Sequence, residues 1–199
     1  MVNDRKQEIV QATLDLAAKN GLGTVSMQQI ADRVGITKAS LYNHYSSKDE
    51  IVESMYEMIR QSAKERSSKT EVDYDALTST GSLKSILSNA VGSYKTIVND
   101  PQLFLFYKII MTQRPISSVA SEIMVRETKT MIDATKALFC ALEKKSMIKV
   151  DNLDASAFSF AMAAHSIMDY ELDLAQAGIT NDRDMMGEYI DEFCRIYGN

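Results

Sequence analysis

Residues that interrupt helices are scarce in this chain, with only 2 Pro and 8 Gly among 199 residues. Proline breaks a helix by losing a backbone N–H, and glycine weakens one through backbone entropy. Long uninterrupted helices are therefore easy to build. No apolar run reaches the roughly 18 residues that a membrane-spanning helix requires. The opening stretch MVNDRKQEIV lacks the apolar centre of a secretory signal, so a cytoplasmic address is expected. Titratable ligands are few as well: two histidines, His44 and His165, and two cysteines, Cys140 and Cys194, far apart and without metal-ligand spacing. Two buried, reduced thiols are the simpler reading of that pair. No glycine-rich phosphate loop, nucleophile elbow, strand pattern or internal repeat occurs. These absences argue against an enzyme and against a resident metal or cofactor.

The remaining composition is that of an ordinary soluble protein, 45% apolar and 25% charged, able to bury a sizeable core. The length suits one compact domain or a small domain fused to a larger one. The formal net charge is −5, which is unhelpful for binding an anion, but the charge is unevenly spread. Residues 1–48 hold six cations (Arg5, Lys6, Lys19, Arg33, Lys38, Lys48) against four acids (Asp4, Glu8, Asp15, Asp32), a net of +2 that leaves −7 on the rest. A mildly basic tip on an acidic body orients the molecule toward phosphate. The patch is small, so useful affinity is expected to need two copies.

The basic tip contains the most informative stretch, Ser26 to Lys48, SMQQIADRVGITKASLYNHYSSK. It reads as two short helices joined by a tight turn, the design of a helix-turn-helix whose second helix lies in the DNA major groove. Ser26 can cap the first helix, with Gln29 as the reciprocal partner of a capping box. Ile30 and Val34 form its buried stripe, and Ala31 is small enough to let the next helix approach. Gly35 stands at the reversal, where positive φ carries no steric cost for glycine. Thr37 can cap the second helix, which Leu41 anchors inward.

Residues 35–52, GITKASLYNHYSSKDEIV, resemble the signature of TetR-family (tetracycline-repressor-like) transcription regulators at Gly35, Ile36, Thr37, Leu41, Tyr42, His44, Tyr45 and Lys48. Tyr45 departs from the Phe more common in that family, and its ring can still pack inward. The resemblance is specific over the first quarter of the chain and one of architecture beyond it. It implies an all-α fold: a three-helix DNA-binding domain at 1–47, a connecting helix at 48–66, and a helical regulatory, ligand-binding and dimerisation domain at 67–199. It also implies phosphate contacts from Tyr42, His44 and Lys48, all of which carry donors. Ser26, Thr37 and Ser40 are further candidates at the DNA. Gln28, Lys38 and Asn43 suit base edges, and Ala39 a thymine methyl. For each base reader, a solvated surface role is the alternative.

Helical patterning continues along the chain. Asn3 or Asp4 can cap a first helix ending at Asn20-Gly21, with Ile9, Ala12, Leu16 and Ala17 inward. Ser47 and Glu50 can form a capping box for the helix running to about Arg66. Residues 67–82 read as a polar loop. Further helices are expected at 83–98, from Asp100-Pro101 to Gln113, at 117–145 with Ile123, Val125, Met131, Ala134, Leu138 and Leu142 inward, from Asp151 or Asn152 to Ala177-Gly178, and from Asn181 or Asp182 to Tyr197. Apolar residues surround the segment Ala157–Met168, and the last helix carries a broad stripe of Met186, Tyr189, Ile190, Phe193 and Tyr197. Both helices could complete the monomer core. The preferred reading is a homodimer interface built from them, with Ala164 at a close helix contact.

Twelve methionines and several aromatics occupy the body. Methionine adapts to irregular cavities, and the resemblance implies a small-molecule pocket there. Candidate lining residues are Tyr94, Phe104, Tyr107, Met111, Met131, Phe139, His165 and Met168, with Tyr94, Tyr107 and His165 as polar handles. For any one of these, an ordinary core role is the alternative. The expected function is a homodimeric repressor that leaves a palindromic double-stranded DNA operator when a small apolar effector binds. An activator, a corepressor-dependent regulator, an all-helical enzyme and an interaction protein are the competing readings.

Overall fold

The computed structural model describes residues 2–66 and 73–199. It is all-helical. Among the described residues the β pairing consists of an isolated antiparallel bridge between Ile148 and Gly198. The helices are α1 (Val2–Asn20), α2 (Met27–Val34), α3 (Lys38–Tyr42), α4 (Lys48–Arg66), α5 (Tyr74–Leu77), α6 (Leu83–Asn99), α7 (Pro101–Gln113), α8 (Ser118–Lys144), α9 (Leu153–Ala177) and α10 (Met185–Tyr197), with a 3-10 turn at Leu22–Thr24 between α1 and α2. They divide into two compact units, residues 1–70 with 97–126, and residues 71–96 with 127–199. No helix among the described residues is long and apolar enough to cross a membrane.

In the first unit α1 packs against α2 and α4, α2 packs against α3, and α7 packs on α1 and α4. Its core gathers Ile9, Leu14, Ile30, Ala31, Leu41, Tyr45, Ile51 and Met55 with Phe106 and Ile110 of α7. Each Ile, Leu, Met or Phe among them contributes about 1.5–3 kcal/mol on burial, so the short α2 and α3 owe their stability to this shared core. Asp100 starts α7 by accepting from the N–H groups of Gln102 and Leu103, with Pro101 in the first turn where no N–H is needed.

The second unit is built on an aromatic cluster. Phe139 of α8 lies 5.5 Å from Phe160 of α9 and 5.3 Å from Phe193 of α10, and Phe160 and Phe193 meet edge to face at 5.0 Å. Tyr189 and Tyr197 extend the cluster, and burial pushes the Tyr189 phenol up to about 12.

Several expectations are corrected. α1 begins at Val2; the side chains of Asn3 and Asp4, expected to cap it, lie outside the described residues. Asp73 caps a short helix, α5, inside the segment expected to be a loop; residues 67–72 of that segment lie outside the described residues. Val125 is 66% exposed, because two positions past the buried Ile123 is about 200° around the helix. Asp184, not Asn181 or Asp182, caps α10. Asn181 instead accepts the Arg183 N–H in a local turn. The α10 stripe does not stand free: Met186, Ile190 and Phe193 are buried in the second unit's own core, and Ala164 is buried beside them. A stripe covered within one chain cannot by itself be a subunit interface.

Candidate nucleic-acid interface

Local chemistry determines each piece of the helix-turn-helix. The Ser26 hydroxyl accepts from the Gln29 N–H, and the Gln29 side chain accepts the Ser26 N–H at 2.8 Å, closing the capping box of α2. Gly35 ends α2 at φ 75°, ψ 33° and returns its N–H to the Ala31 and Asp32 carbonyls. A Cβ at Gly35 would meet no atom within 4 Å, so Gly35→Ala tests the backbone alone. The expected cost is about 1–2 kcal/mol, read as a lower urea midpoint with unchanged slope. A neutral result would mean that the turn relaxes out of the left-handed region. Thr37 caps α3 by accepting the Ser40 N–H at 3.1 Å.

Leu41 is fully buried and Tyr45 nearly so, which turns the other side of α3 outward. Lys38, Ala39, Tyr42 and Asn43 are exposed, and Ser40 and His44 are half-buried. The Lys38 ammonium lies 6.0 Å from the centroid of the Tyr42 ring. This face combines a cation, an exposed phenol and an amide, donors suited to phosphate and base edges, with a methyl suited to apolar contact with thymine. Gln28 is also exposed, but its amide donates to Asp32 at 2.7 Å, so reaching a base would require releasing that carboxylate. Arg33 faces Asp15 at 3.5 Å, which offsets one of the tip's cations.

Two features of the site have no counterpart in sequence patterning. Tyr45 stands where Phe is more usual because its hydroxyl has a partner, Ser54 Oγ at 2.7 Å; burial raises the phenol's pKa. Lys6 of α1 lies over the same ring at 4.9 Å. Arg126 of α8 reaches Glu53 at 2.6 Å and Glu57 at 3.5 Å on α4 and lies 4.6 Å from the Tyr56 ring centroid. These partners lie far apart along the chain and belong to no shared motif. The α4 cap also differs from expectation. Ser47 does cap the Glu50 N–H, but the Glu50 carboxylate accepts from the Ser46 N–H and hydroxyl, not from Ser47. The Ser46 N–H, the largest influence, holds that carboxyl below its usual range. Lys48 turns inward, donating to the Leu22 carbonyl at 2.9 Å and the Val25 carbonyl at 3.0 Å.

The candidate effector residues are distributed over both units. Phe104, Tyr107 and Met111 are half-buried residues of the first. Met131, Phe139, His165 and Met168 belong to the second, where Phe139 is fully buried beside Phe160 and Phe193 and His165 Nε2 lies 3.6 Å from Asp169 Oδ2. The side chain of Tyr94 lies outside the described residues. Among the described residues no group of three or more His, Cys, Asp or Glu could hold a metal ion.

Residues 9–55, which include the whole helix-turn-helix, match the family described as bacterial regulatory proteins, tetR family. Over that segment the chain is similar to the tetR family. Over the same region the chain is similar to the transcriptional repressor KstR2 of Mycobacterium tuberculosis, 37% identical over 54 residues that make up 27% of each chain. Another is the nucleoid occlusion factor SlmA of Vibrio cholerae, 33% identical over 64 residues, 32% of this chain and 33% of SlmA. These matches span about a quarter to a third of the relatives' length. The likeness in fold extends over the whole chain. NalD of Pseudomonas aeruginosa, the secondary repressor of the MexAB-OprM multidrug efflux pump, superposes with a TM-score of 0.65 at 17% identity, covering 100% of this chain and 99% of NalD. SmeT in its triclosan complex superposes with a TM-score of 0.70 at 14% identity, covering 98% and 92%.

Proposed function

We infer that this chain is a sequence-specific DNA-binding transcriptional regulator, acting as a homodimeric repressor that a small apolar effector releases from its operator. The observation that carries the reading is the outward face of α3: Lys38, Ala39, Tyr42 and Asn43 are exposed while Leu41 is locked into the core beneath them. A helix held this way presents side chains to a major groove in a fixed register. KstR2 and NalD, named as repressors, support the sign of the response. SmeT, solved with triclosan, supports an apolar effector, for which Phe104, Tyr107, Met111, Met131, Phe139, His165 and Met168 are the candidate contacts among residues whose side chains are described.

A second copy is needed for affinity, since one tip carries little net positive charge, and a palindromic operator would match the two-fold axis. With the α10 stripe used internally, exposed apolar side chains on α9 and α10 are the ones we assign to a partner: Phe158, Tyr170 and Ile196 are 51%, 53% and 53% exposed. The deciding experiment is selection of duplexes from a random pool. The wild-type chain should return one motif with two half-sites. Lys38→Ala and Asn43→Ala should each alter the preferred bases, at about 1–3 kcal/mol per lost base contact. Unchanged motifs in both variants would remove these residues as base readers, and no enriched motif from the wild type would remove the function.

A further inference from the structure

The resemblance places Lys48 at a phosphate, but in the structure its ammonium is already committed. Lys48 is the first residue of α4, and its partly buried Nζ donates to Leu22 O at 2.9 Å and Val25 O at 3.0 Å. These two carbonyls bracket the 3-10 turn that joins α1 to α2, and the side chains of Leu22 and Val25 are buried in the first unit's core. Val25 immediately precedes Ser26, whose hydroxyl caps α2. The ammonium therefore ties the start of α4 to the residue just before the α2 cap. An ammonium has three N–H donors, and two of them are held by buried backbone. The exposed donors of this region are elsewhere, on Lys38 and Tyr42. The turn is also bounded by α7, because a Cβ at Gly23 would stand 3.6 Å from the Gln113 side chain.

We propose that Lys48 is a positioning residue for DNA binding: through the Leu22 and Val25 carbonyls it sets the orientation of α2, and of α3 packed on α2, against α4. It does not supply charge to the DNA backbone. This role rests on the DNA-binding reading above. Loss of the ammonium loosens the placement of the base-reading face, so discrimination between operator and random DNA falls while counterion release is kept.

The test compares the full wild-type chain with Lys48→Met, which keeps the aliphatic stem, and Lys48→Gln, whose amide can still donate to one carbonyl. Affinity for the selected operator and for a random duplex is measured between about 50 and 200 mM salt, the range over which phosphate contacts show most clearly. Lys48→Met is expected to lower operator affinity about tenfold, the order of one lost specific contact, and random-duplex affinity by less than about twofold. Both salt slopes should stay within about half a unit per subunit of wild type, and Lys48→Gln should recover part of the discrimination.

A direct phosphate contact makes the opposite forecast: both duplexes weaken alike, and the slope falls by about 0.9 per subunit in both variants. That result overturns the proposal. So does a lowered melting temperature with operator affinity and discrimination unchanged, which would make Lys48 a purely structural clamp. If Lys48→Met does not fold, the salt slope and discrimination of Lys48→Gln decide. A wild-type chain that selects no DNA is a different failure, since it removes the DNA-binding reading itself and this role with it.

Discussion

Ala164→Arg should unfold the second unit. Ala164 is 4% exposed and belongs to the core that holds Leu138, Phe139, Phe160 and Phe193. A guanidinium there would have neither space nor a partner. An uncompensated buried charge costs about 3–5 kcal/mol, and overpacking adds about 1–3 kcal/mol. The total rivals the 5–15 kcal/mol or so by which a whole domain is stable. Circular dichroism should show a large loss of helix, or a urea midpoint near zero. The informative control is Phe158→Glu on the same helix. Phe158 is 51% exposed, and a surface change of this kind shifts monomer stability by only about 0.5 kcal/mol. If the outer side of α9 is the subunit interface, Phe158→Glu should stay helical yet sediment as a monomer, with operator affinity reduced. A folded, monomeric Ala164→Arg would instead mean that Ala164 faces a partner and that the packing described here is incorrect.

Phe139→Ala should cost about 3–5 kcal/mol, the usual range for emptying a fully buried aromatic site. The ring has no exposure and contacts Phe160 and Phe193, with centroids at 5.5 and 5.3 Å. Helices α8, α9 and α10 all converge on it, so the cavity left behind could close only by moving three helices at once. The check is a urea titration in which the midpoint falls and the slope is retained. A pocket-wall role predicts something else: little change in stability, under about 1 kcal/mol, and altered effector affinity. That outcome would return Phe139 to the effector site.

These two residues show where reading the chain alone runs short. On a helix, a residue covered by its own chain and a residue covered by a second chain have the same periodicity. In the sequence, Ala164 and the α10 stripe of Met186, Ile190 and Phe193 therefore fit monomer core and subunit interface equally, and only the fold shows them buried in the second unit's core. For Phe139 the same limit holds, since composition reports how much apolar surface exists but not which pieces meet, and the packing against Phe160 and Phe193 is visible only in the fold. Val125 failed on a finer point. An apolar residue near a stripe need not lie on it, and Val125 points to solvent.

The helix-turn-helix needed no such context. Ser26 with Gln29, Gly35 and Thr37 act within three or four residues of their partners, and capping, left-handed turns and i, i+4 stripes are local chemistry that a sequence displays directly. The all-helical class and most helix ends followed from the same local signals, including Asp100-Pro101, Asn152 and Gly178. Interactions between distant positions could come only from the assembled fold. The Lys48 ammonium meets carbonyls 23 and 26 residues away, and Arg126 meets Glu53 across 73 residues. Long flexible side chains of this kind reach many partners with equal ease, and only packing decides which of them stand within hydrogen-bonding distance.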